Sequence, residues 1–176
     1  MKMKRMFYGL LVLMLLCVMT EQARAQAALA SPKDWEGKWR GTLTNLPLRP
    51  GAKPVEVTRE VGPFPTADNA CTPFKTTYAE GGVVRQVKDY RLCRGTGAND
   101  LFVDEGGGVK LSAQLIGDVL VSAFKFDNLL LISSARLRGD VMEEDILTVD
   151  DQPAAKGIVT MRSRAIQRLE FRRVGK

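Results

Sequence analysis

The chain of 176 residues contains no histidine. That removes Ser-His-Asp and Cys-His nucleophilic catalysis, most zinc sites and histidine-ligated haem. Cysteine is scarce, with Cys17, Cys71 and Cys93 alone. Aromatic residues make up 7% of the chain, and Trp35 and Trp39 are its two tryptophans. Beyond the first twenty residues no apolar run approaches the length of a membrane span. Beyond the N-terminal segment the largest basic block is Arg172-Arg173, which gives no argument for nucleic-acid binding.

What is present begins with an address. Lys2, Lys4 and Arg5 form a basic head, residues 6–19 an apolar stretch, and Ala23-Arg24-Ala25 a small-x-small cleavage site. This is the pattern of a secretory signal peptide over residues 1–25, leaving 26–176 as one domain. Lys2, Lys4, Arg5 and Arg24 against Glu21 account for half of the formal charge of +6. The expected location is periplasmic or secreted, with no membrane span after cleavage. An oxidising compartment predicts that Cys71 and Cys93 pair.

Turn signals then recur at intervals of roughly ten residues. They are Gly81-Gly82, the segment 94–98, Gly106-Gly107-Gly108, Gly117-Asp118, Asp127-Asn128 and Gly139-Asp140. Between them apolar and polar residues alternate. Val109, Leu111, Ala113 and Leu115 share one face; so do Leu120, Ser122, Phe124 and Phe126; so do Leu129, Leu131, Ala135 and Leu137. In 141–149 the alternation sets Val141, Leu147 and Val149 on one face together with Glu143 and Asp145, and the register there is open. Period two dominates and no long amphipathic helix emerges. Residues 46–73 are interrupted by six prolines, and only Val55–Val61 reads as a strand there; the rest, Cys71 included, is expected to be loop. About ten strands joined by tight hairpins make a meander that must bury one face and manage its edges. The expected fold is all-β, an antiparallel up-and-down barrel, with a two-sheet sandwich as the alternative.

No constellation of catalytic residues stands out, and the chain is read as not an enzyme. No metal-ligand set and no cofactor site is expected. Asp104-Glu105, Glu143-Glu144-Asp145 and Asp150-Asp151 are read as solvated strand ends, because neighbouring carboxylates on a strand point to opposite faces. Arg138-Gly139-Asp140 is read as a hairpin turn.

Trp39 lies two residues after Gly37 in the first strand, with Gly41, Leu43 and Asn45 on its face. An inward tryptophan there would fill the barrel floor. In a closed barrel the last strand returns beside the first, and it carries Arg173 on the face of Leu169 and Phe171. That arginine would stack on Trp39 by a cation–π contact, with Arg172 as the alternative if the register slips by one. Gly37, Trp39 and Arg173 together resemble the calycin pattern of lipocalins and related lipid-binding barrels.

That resemblance implies non-covalent binding of a small apolar or amphipathic molecule. The interior would be lined by Leu111, Leu115, Leu120, Phe124, Leu131 and Leu137. Leu46 and Leu48, in the proline-rich segment 46–54, would cap it as a lid at the open end. Two alternatives stay open. One is a protein-binding module such as a periplasmic protease inhibitor acting through residues 27–34. The other is a packed structural barrel with no ligand.

Overall fold

The computed structural model describes residues 32–96 and 100–175. The expected signal peptide and most of the segment 27–34 lie outside the described residues. A 3₁₀ turn, Pro32–Trp35, leads into ten strands: β1 Gly37–Leu46, β2 Val55–Val61, β3 Cys71–Glu80, β4 Val83–Arg94 and β5 Leu101–Gly106, then β6 Val109–Ile116, β7 Val119–Phe126, β8 Leu129–Arg138, β9 Val141–Ala155 and β10 Ile158–Arg173. Each strand pairs antiparallel with the next, and β1 pairs with β10, closing the barrel. Closure excludes the two-sheet sandwich. Among the described residues no helix is long and apolar enough to cross a membrane.

The closing seam follows from the sequence at two points. Trp39 lies opposite Arg173 in the β1–β10 register, which selects Arg173 over Arg172. Gly41 lies opposite Phe171. A Cβ at Gly41 would stand 1.6 Å from the Glu170 carbonyl oxygen, so only glycine lets the two strands approach there.

Up-and-down topology places the β1–β2, β3–β4, β5–β6, β7–β8 and β9–β10 connections at one end. The remaining turns and Trp39 lie at the other. That second end is closed. Trp39, Leu43, Val61, Leu92, Leu101, Leu137, Met142, Leu169 and Phe171 pack there, and Trp35 covers them from the 3₁₀ turn. The Trp39 indole Nε1 donates to the Trp35 carbonyl at 3.0 Å. The Arg173 guanidinium stacks 4.2 Å from the Trp39 ring centroid and donates to the carbonyls of Asp34 and Glu36. The barrel floor is therefore an indole satisfied on its face and on its N–H.

Three expectations change. Cys71 is not in a loop: it opens β3 directly opposite Cys93 of β4, and the two are bonded. The disulfide joins neighbouring strands instead of pinning a loop to the wall. In β9 the inward residues are Met142, Glu144 and Ile146, because they share the side of the barrel occupied by Met142, which is fully buried. Val141 and Leu147 belong to the outer face, whereas Val149 is buried. The segment 46–54 does emerge at the open end, but residues 47–54 are exposed throughout.

Candidate ligand cavity

Strand β2 carries Val57, Arg59 and Val61 on its inward face. Period two forces the arginine inside with its apolar neighbours. Arg59 is only 4% exposed and its hydrogen-bonding groups are occupied. Its Nη2 donates to Glu144 Oε2 at 2.6 Å and its Nε to Thr76 Oγ1 at 3.0 Å. Its guanidinium carbon lies 5.0 Å from the Phe74 centroid and 4.7 Å from that of Phe171. The other carboxylate oxygen of Glu144 accepts from Ser133 Oγ at 2.7 Å. Burial alone would raise the Glu144 carboxyl. The guanidinium beside it outweighs that, with the help of the Ser133 hydroxyl, and holds it below the ordinary carboxylate range.

This polar layer is the roof of the floor core and the base of a cavity of about 130 Å³. The cavity has two unlike walls. Val103, Leu111, Ala113, Leu120, Phe124 and Leu131 form the apolar one, from β5 to β8. The other carries Tyr78, Lys88, Tyr90 and Glu105, with Gln167 across from them. The Lys88 ammonium lies 5.8 Å from the Tyr78 centroid and 5.9 Å from that of Tyr90, and no carboxylate is in ion-pair range of it among the described residues. Burial raises the Tyr78 hydroxyl above its ordinary value. Burial and the nearby Glu105 carboxylate push Tyr90 up to about 12, so both phenols keep their protons at neutral pH.

The residues expected in the interior are divided by the fold. Leu111, Leu120, Phe124 and Leu131 line the cavity together. Leu115 sits lower, with Leu120, in a small apolar crevice against Trp35, Val61, Phe64 and Leu92. Leu137, 3% exposed, is part of the floor core. Leu46 and Leu48 do not line the cavity. Asn45 is the last residue on the inward face of β1, so Leu46 turns away from the interior, and Leu48 is 66% exposed. The expected lid is not formed by these two side chains.

Arg59, Glu144, Tyr78, Lys88, Tyr90 and Glu105 were not among the expected site residues. A signal existed for two of them. Arg59 has the parity of Val57 and Val61, and Glu144 that of Met142 and Ile146. A charge repeated on an apolar face marks a buried pair, and the reading of Glu143-Glu144-Asp145 as solvated holds only for Glu143 and Asp145.

A volume near 130 Å³ is comparable to the ~150 Å³ apolar cavity that accepts benzene and lies below the range of about 300–1,000 Å³ usual for drug-sized ligands. A space of this volume matches one ring or a short branched chain. Comparison with family models, with curated proteins and with solved structures finds no match for this chain.

Proposed function

We propose that this protein is an exported, lipocalin-like carrier that holds one small amphipathic molecule non-covalently inside its barrel. The observation that carries this reading is the cavity with one apolar and one polar wall, set on a buried Arg59–Glu144 pair. Desolvating two charges beneath an unfilled space costs free energy that a fully packed apolar interior would not. The unpaired Lys88 ammonium favours a ligand with an anionic end. The protonated Tyr78 hydroxyl beside it is ready to donate to the same group, whereas the Tyr90 hydroxyl is already held by Glu105. The ring or branched body of the ligand lies against Leu111, Phe124 and Leu131.

Three probes of equal size test the reading: benzoate, toluene and benzylamine, followed by backbone amide shifts in the folded protein. Benzoate should bind best, perturb the strands around Lys88 and Phe124, and lose affinity in Lys88→Met. Mass spectrometry of the protein from its native host should find a small organic acid bound. If none of the three binds below about 1 mM, near −4 kcal/mol, and nothing is retained from the host, the carrier reading fails.

A further inference from the structure

The two ends of the barrel differ in the apolar side chains they expose. At the open end large exposed apolar side chains lie in or beside four of the five connections, and a fifth lies along β10 four residues past its turn. Leu48 lies in the β1–β2 loop, and Val83 and Val84 follow the β3–β4 turn. Val109 begins β6, Phe126 ends β7, and Met161 lies in the β9–β10 hairpin. Leu48 and Phe126, at 66% and 64%, are among the most exposed apolar residues of the molecule. At the closed end, among the described residues, only Ile116 and Val174 compare. Isolated exposed apolar residues need no explanation, but their concentration at a single end is a pattern.

Charge follows the same division. Arg49, Lys53, Lys156 and Arg162 are exposed around the open end and have no ion-pair partner among the described residues. Of the other cations there, Arg85 is neutralised by Glu80, Lys125 by Asp151 and Arg164 by Asp150, while Lys110 lies over the Phe102 ring. Three carboxylates at that end, Glu56, Glu105 and Asp127, likewise have no ion pair, leaving cations in excess. At the closed end the charges of the turns without an ion pair are Glu36, Asp100, Asp118 and Asp140. One end of the molecule is thus apolar with a surplus of positive charge, whereas the unpaired charges in the turns of the other are carboxylates.

We infer that the open end docks on an anionic lipid surface, with the apolar loop tips entering the headgroup region and the four cations facing lipid phosphates. Apolar contact and attraction to anionic lipids are the two terms that hold a peripheral protein at an interface. Charge decides between occupants, since a neutral partner would leave the four cations unused. The orientation sets the cavity mouth against the membrane, so that a molecule could pass between bilayer and barrel without crossing water. Docking does not depend on the cavity being filled and can be tested with an empty barrel.

The test uses the leaderless exported protein and vesicles of phosphatidylcholine, alone or with an equal amount of phosphatidylglycerol, separated by sedimentation. Binding should appear with phosphatidylglycerol, weaken as salt is raised, and fall about fivefold for each of Arg49→Gln and Lys53→Gln, at about 1 kcal/mol per surface cation. Phe126→Ser should reduce it at least tenfold, and Ile116→Ser at the closed end should leave it unchanged. These are exposed positions, and circular dichroism confirms that each variant remains folded. Absence of binding to the anionic vesicles overturns the inference, as does equal loss in Ile116→Ser. So does light scattering that shows a dimer abolished by Phe126→Ser, because a second copy would then be what covers this end.

Discussion

Arg59 and Glu144 meet at 2.6 Å across the barrel interior, one from β2 and the other from β9, with β1 and β10 between their strands. The pair ties the two flanks of the closing seam and separates the packed floor from the cavity. Removing one partner leaves the other charged in a dry site. Glu144→Leu and Arg59→Met should each destabilise the fold by about 3–5 kcal/mol, measured by urea unfolding. The double variant should be less destabilised than the sum of the two. Strict additivity would mean that the two charges do not depend on each other.

Acid should act through the same pair. Glu144 is held below the ordinary carboxylate range when folded, so the folded state gives up that proton more readily than the unfolded chain does. Its contribution is fully present above about pH 4.5, the ordinary value for a glutamate, and is lost as pH falls from there through the lowered folded value. Asp104 acts in the same direction: the Gly106 N–H and Arg91 lower its carboxyl at a partly buried site. Unfolding midpoints over an acid series should fall more steeply for the wild type than for Glu144→Gln. Parallel curves would remove Glu144 from the acid response.

The floor depends on Trp39, which has no exposed surface. Trp39→Ala should cost about 3–5 kcal/mol. Gly37→Ala tests the arginine above it. The Gly37 φ of 137° disfavours any side chain, and a Cβ there would stand 2.7 Å from Arg173 Nη1. It should cost more than about 1 kcal/mol, with a change in tryptophan fluorescence as the guanidinium leaves the ring. An unaltered spectrum and midpoint would show that Arg173 does not need that space.

The Cys71–Cys93 bond closes a loop with a sequence separation of 22 residues. In the chain-entropy account its removal by Cys71→Ser with Cys93→Ser should cost about 3 kcal/mol. Thiol titration of the unfolded, unreduced protein without residues 1–25 should find no free thiol. Two free thiols would contradict the pairing.

Much of the architecture was readable along the chain because it rests on local rules. Alternation over Val109–Ile116, Val119–Phe126 and Leu129–Arg138, with a turn pair between each, specifies strands and hairpins without reference to distant residues. Gly37, Trp39 and Arg173 pointed to the floor, since a bulky ring on the first strand needs a partner on the strand that closes beside it. The inward face of β9 was not readable. Apolar and acidic residues occur on both of its faces, and period two defines two faces without saying which is inside. Nor could the strand rule apply to Pro73 and Cys71 at the start of β3, where the prolines before them suggested a loop. The interior site was hidden for a further reason. Arg59 and Glu144 are 85 residues apart, and a charge is tolerable in a core only when its partner arrives there. Whether space remains above them depends on the barrel radius and on ten strands' side chains together, a balance that no single segment contains.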